Sequence, residues 1–75
     1  MNTFYAPNVT EWRQWLEKNH SNETDVWLVY YKKHTGEKCI SYQESLEEAI
    51  CFGWIDGLIK KLDEEKYVRR FSPRR

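Results

Sequence analysis

The side chains best suited to chemistry in this chain are Asp56 and the cations that follow it. Asp56 stands in Phe52-Gly53-Trp54-Ile55-Asp56-Gly57, a carboxylate among apolar neighbours and flanked by glycines. Such a carboxylate can act as a general base or receive a polar ligand, provided its pKa is raised or a substrate lies within reach. It can equally serve structure, by bonding backbone N–H groups after a helix or by pairing with Lys60 or Arg69. Lys60, Lys61, Arg69, Arg70, Arg74 and Arg75 supply a basic strand region. Lys60 opposite Arg69, with Arg74 just beyond, would clamp a phosphate or carboxylate, the arginines offering a bidentate fork. The alternative is a solvated face paired with helix acids. Tyr67 and Phe71 interleave these cations, an arrangement on which single-stranded bases can stack, although no RNP-type consensus is present. With Trp27 and Trp54 ringing Asp56, the candidate ligand-binding set is Trp27, Lys32, Trp54, Asp56, Lys60, Arg69, Phe71 and Arg74.

Other reactive groups do not assemble into a motif. His20 and His34 are isolated in polar turns, with no Ser or Cys in a recognisable catalytic pattern beside them. Cys39 and Cys51 form no CxxC and have no histidine at ligand spacing, so no zinc site, disulfide framework or metal is expected; Cys51 beside Phe52 reads as a small buried hydrophobe. Lys32 to Gly36 holds no Walker pattern. No catalytic residue and no cofactor is assigned, which favours binding over catalysis.

The elements that must position these groups are few. Seventy-five residues make one small domain, residues 1–75, whose core must lean on large rings: four Trp, five Tyr and three Phe. Net charge is zero, yet residues 1–59 hold five Lys/Arg against nine Asp/Glu and residues 60–75 hold seven against three. An acidic body thus carries a basic end, suited to an acidic partner or self-complementary contact. Asn8 with Glu11 fits the start of a first helix, Thr10 being a rival cap; Trp12, Trp15 and Leu16 form its apolar stripe, and Asn19 to Asn22 end it. Residues 1–7 read as a lead-in closed by Pro7, with Phe4 and Tyr5 packing on the domain. Val26 to Tyr31 is a strand, apolar on both faces. Lys32 to Lys38 is a charged loop turning at Gly36. Ser41-Tyr42-Gln43-Glu44 is a capping box opening a second helix to about Phe52, with Leu46, Ala49 and Ile50 inward and Glu44, Glu47 and Glu48 in water. Gly53 falls where a helix exit wants positive φ. Trp54–Leu62 and Tyr67–Phe71 make a hairpin around a four-residue loop, Asp63 to Lys66, setting Leu62 opposite Tyr67, Lys60 opposite Arg69 and Leu58 opposite Phe71.

Trp15 to His20, Val26 to Lys33, Ser41-Tyr42, Ala49 with Cys51 to Gly57, and Arg70-Phe71-Ser72-Pro73-Arg74, in that order, resemble the bacterial YdeI/OmpD-associated family, often labelled bacteriocin-protection proteins. The Phe-Gly-Trp-Ile-Asp-Gly and Arg-Phe-x-Pro-Arg runs are its most specific parts. The resemblance implies a small cytoplasmic α+β domain with a role around tolerance of bacteriocins or antimicrobial peptides. It brings no reaction or cofactor. Similar proteins continue past the Pro-Arg run, so this chain is expected to be a short member or an N-terminal portion.

The expectation is therefore an α+β fold, two helices packed on a small three-stranded, mainly antiparallel sheet in the order α-β-α-β-β. Its partner is an unidentified protein, a peptide or a small anionic ligand, with single-stranded nucleic acid or an Asp56-based sensor or enzyme as alternatives. No apolar run reaches transmembrane length, so no membrane insertion is expected. The location expected is the cytoplasm, and the assembly a monomer or weak dimer.

Overall fold

A computed structural model describes residues 2–32, 36 and 38–74. The elements run β1 (Thr3–Tyr5), α1 (Val9–Asn19), β2 (Val26–Tyr31), α2 (Tyr42–Cys51), β3 (Trp54–Lys61) and β4 (Lys66–Pro73). They form a four-stranded mixed sheet in the order β1-β2-β4-β3. The architecture is α+β, but the expected three-stranded sheet and α-β-α-β-β order are overturned. Residues 3–5 are not a lead-in; they form an edge strand parallel to β2, with Phe4 beside Leu28. Three residues ending before Pro7 give no readable period, and their partner lies a whole helix away in sequence. β2 and β3 flank β4, which runs antiparallel to both.

Local chemistry sets the element ends. Asn8 caps α1, its side chain accepting from the Glu11 amide at 3.0 Å. Ser41 and Glu44 form a complete capping box on α2. Past α2, Gly53 takes φ +75°, and its carbonyl accepts from the Arg74 amide at 2.8 Å, tying the helix exit to the end of β4. The His20 ring lies 5.0 Å from Phe52 and its Nδ1 bonds the Leu16 carbonyl, so it seals the junction between helices instead of standing in solvent. His34 lies outside the described residues.

Two crossovers, β1-α1-β2 and β2-α2-β3, advance in the same direction across the sheet. The right-handed rule for such crossovers therefore puts both helices on one face. The core agrees: Trp12, Leu16 and Ala49 are fully buried with Val26, Leu28, Tyr30, Trp54 and Phe71. Phe4, Trp12, Trp15, Trp54 and Phe71 form its aromatic centre, Trp12 and Trp15 stacking at 5.5 Å. The other face carries Tyr5, Trp27, Val29, Tyr31, Lys60, Lys66, Val68 and Arg70, with no helix over it among the described residues.

The β3–β4 register differs from expectation in two ways. Lys61 opposes Tyr67, Lys60 opposes Val68 and Ile59 opposes Arg69. The turn chemistry explains this: Asp63 Oδ1 accepts from the Glu65 and Lys66 amides, and the Leu62 and Asp63 amides both reach the Lys66 carbonyl. The connection therefore begins at Leu62, a residue earlier than expected, and every side chain nearby changes face. Between Asp56 and Ile59 a bulge sets two residues, Gly57 and Leu58, against Arg70, which returns Trp54 and Asp56 to the core face.

Candidate functional site

On the core face, beyond the aromatic centre, Asp56, Arg69 and Tyr42 meet. Asp56 and Arg69 come from adjacent strands and Tyr42 from the first turn of α2. The Tyr42 hydroxyl donates to Asp56 Oδ2 at 3.1 Å, and Arg69 Nη1 stands 3.7 Å from the same oxygen. The Arg69 guanidinium lies over the Tyr42 ring, 4.2 Å from its centroid, a cation–π seat. Its Nε is buried without a hydrogen-bond partner. Desolvation first, then the bond to Asp56, raises the Tyr42 pKa. One carboxylate oxygen thus serves both neighbours, the structural pairing with Arg69 that the sequence offered as one option.

Behind Tyr42 a second set locks α2 to the sheet. Ser45 is fully buried; its Oγ donates to the Tyr42 carbonyl at 2.7 Å, which leaves the Tyr30 hydroxyl to donate to Ser45 Oγ. The Ser45 carbonyl accepts from Trp12 Nε1 at 2.9 Å, so one residue joins both helices and β2. Burial pushes the Tyr30 phenol well above tyrosine's ordinary range, opposed by the Ser45 bond. Tyr67 stacks on Tyr30 at 5.3 Å.

These rings open onto a hollow of about 750 Å³ lined by Pro7, Tyr30, Tyr31, Lys32, Lys38, Cys39, Ile40, Ser41, Tyr42 and Tyr67. That is the size of a small-molecule site, and its walls are mostly apolar, as such sites usually are. Cys39 is half-buried there, its thiol turned to the Tyr31 carbonyl. Among the described residues no three His, Cys, Asp or Glu side chains gather as metal ligands. No helix among them is long and apolar enough to cross a membrane.

The expected set is divided by this geometry. Asp56 and Arg69 come together; Lys32 lines the hollow. Trp54 and Phe71 are core residues, 2% and 0% exposed, so neither presents a ring to a ligand. Trp27 and Lys60 lie on the opposite face of the sheet from Asp56, so Trp27 does not ring that carboxylate and the Lys60–Arg69 clamp is absent. Arg74 is exposed at the end of β4, its amide held by Gly53. Tyr67 and Phe71 share the helix-covered face, so the stacking surface proposed on them is not there. Cys51 is exposed, not buried, because α2 turns Ser45 and Ala49 inward and leaves Ile50 at 56% exposure. Glu48, expected in water, is held by Arg13 at 2.7 Å, and that bond lowers its pKa. Sequence reading missed Tyr30, Tyr42, Ser45 and Lys38, and had Tyr67 as a stacking ring instead of a wall of this hollow. Tyr42, Ser45 and Ala49 at i, i+3 and i+7 were the available signal for the helix face.

No curated protein matches the chain, and no solved structure does. Residues 4–75 match a family described as a domain of unknown function, DUF8412. Since that match takes in nearly every residue of the described fold, the chain belongs to the DUF8412 family.

Proposed function

We propose that this domain acts by binding, not catalysis, and takes a small anionic ligand into the tyrosine-lined hollow. The observation that carries this reading is the lining itself. Four tyrosines supply flat, apolar walls with polar rims, Lys32 and Lys38 supply positive charge, and no acid is among the described lining residues. Rings bury a ligand's body while an ammonium group meets its charge. Asp56 belongs to the supporting wall in this reading, because its carboxylate already serves Tyr42 and Arg69. The biological setting we propose is the one implied by the resemblance to bacteriocin-protection proteins, a cytoplasmic role in tolerance of antimicrobial peptides. It is supported by the Phe52–Gly57 and Arg70–Arg74 runs.

The test is a thermal-shift screen against carboxylates, phosphates and nucleotides. A ligand at about 100 times its Kd adds about 2.7 kcal/mol, or roughly 10–20 °C in a domain this small. A hit that is lost in Tyr67→Ala and weakened in Lys38→Glu, both still folded, supports the hollow. Silence across the panel, or a hit indifferent to both substitutions, overturns it.

A further inference from the structure

We infer that the helix-free face of the sheet is a second binding surface, for single-stranded nucleic acid. Trp27 and Tyr31 stand four residues apart on β2, so they share this face at a spacing of roughly 13 Å. Tyr5 meets Tyr31 edge-on at 5.3 Å from the neighbouring strand. Trp27 and Tyr31 each have a cation beside them: Arg70 is the cross-strand partner of Trp27, and Lys66 that of Tyr31, with its Nζ 5.9 Å from the ring centroid. Between Trp27 and Tyr31 stands Val29, and the same row runs through Val68 to Lys60 on the edge strand β3. Flat rings on a sheet, two of them beside cations, match what an unpaired strand offers: bases with free faces on a phosphate chain.

The charges select this occupant over others. Among the described residues, two acids pair with its cations, both at its ends: Asp25 with Arg70 at 2.9 Å and Asp63 with Lys66 at 3.7 Å. Lys60, in the middle, has no ionic partner among the described residues. A second copy placed face to face would set these cations against each other, so self-association is disfavoured. A small anion would leave the spread of rings unused. Residues 60–75, which supply all three cations, hold seven Lys/Arg against three Asp/Glu.

The experiment is a titration of the whole chain with a ten-nucleotide oligothymidylate and, separately, an oligouridylate, read by tryptophan fluorescence. Trp12 and Trp54 are buried, Trp15 and Trp27 half-buried; Trp15 packs against Phe4 and Trp12 on the helix-covered side, so Trp27 is the tryptophan on this face. Partial quenching by either strand is expected, the stronger arm telling DNA from RNA. With two to three phosphate contacts the affinity falls roughly 7- to 20-fold between 50 and 200 mM salt. Trp27→Ala removes the reporter, so its affinity is read by the anisotropy of the same strands carrying a 5′ fluorescein; it weakens binding about tenfold or more, a stacking loss. Lys60→Glu, at an exposed position where folding is not at stake, weakens it and flattens the salt dependence. Tyr31 also lines the tyrosine hollow, so the two sites meet at that ring; Tyr67→Ala, which alters the hollow alone, leaves strand binding unchanged and so tells them apart. The inference is overturned by any of three results: no binding by either strand at 50 mM salt, binding unaffected by Trp27→Ala and Lys60→Glu, or equal binding of hexaglutamate.

Discussion

Ser45 and Tyr30 offer a quantitative check on how α2 is held. In Ser45→Ala the Tyr30 hydroxyl, on a residue only 2% exposed, loses the acceptor it donates to. An orphaned buried hydroxyl costs about 1–3 kcal/mol. Tyr30→Phe is milder: Ser45 Oγ keeps its bond to the Tyr42 carbonyl, so nothing is left a donor without a partner, and the cost is about 1 kcal/mol or less. The double substitution removes both polar groups and should cost about the same as Tyr30→Phe alone. A double-mutant cycle then gives a coupling of about 1 kcal/mol or more. Urea melts followed by far-UV circular dichroism measure all four corners. Taking about 2 kcal/mol for Ser45→Ala, the melting temperature drops roughly 8–16 °C in so small a domain. If Ser45→Ala costs no more than Tyr30→Phe, or if the two effects simply add, the Tyr30 hydroxyl does not depend on Ser45 and the reasoning fails.

The two β3-proximal glycines should behave oppositely. Gly53→Ala forces an L-residue to φ +75° and loses about 1 kcal/mol, whereas a Cβ at Gly57 meets the Arg70 carbonyl at an ordinary 3.7 Å and should be neutral or slightly stabilising; paired thermal melts decide. The raised Tyr30 pKa has a stability consequence with a definite sign. The folded state favours the neutral phenol, so this contribution is complete below tyrosine's ordinary value of about 10 and is lost as pH rises beyond it. Denaturation midpoints should fall steeply above about pH 10, and more gently in Tyr30→Phe; equal slopes would remove Tyr30 as the cause. Cys51 should react with a thiol reagent at the rate of a free thiol and Cys39 markedly more slowly, which mass spectrometry of the labelled chain resolves.

What could be read from the sequence was what the backbone decides locally. The Ser41–Glu44 capping box, the Asn8 cap, the strand from Val26 to Tyr31 and the positive φ of Gly53 each follow from neighbouring residues, and all four are present. What escaped depends on partners far along the chain. β1 is too short to show a period and exists because β2 offers it an edge. The hairpin register turned on Asp63 capturing two amides, and the Gly57–Leu58 bulge then reversed the faces. Together they dissolved the Lys60–Arg69 clamp while leaving Asp56 and Arg69 as neighbours. The second helix could be placed but not rotated: choosing Ser45 over Ile50 as the inward residue requires Trp12 and Tyr30 to bond it. The hollow draws its lining from β2, β4, the start of α2 and the segment before it, so no single stretch announces it.

The strand order has a consequence for how the chain becomes a protein. β4 follows the other described elements in sequence, yet it is bonded on both sides, to β2 and to β3. Until residues 66–73 are available, β2 and β3 have no common neighbour, and Trp12, Trp54 and Tyr30 have no Phe71 or Tyr67 to close over them. A chain emerging from a ribosome therefore holds much of its aromatic core open to water until residues 66–73 have emerged. Loss of residues 66–73 would take the shared neighbour of β2 and β3, whereas loss of Thr3 to Tyr5 would take an edge strand and, with Phe4, one ring of the aromatic centre. The sheet is thus completed from β4, the strand that joins what the two crossovers leave apart.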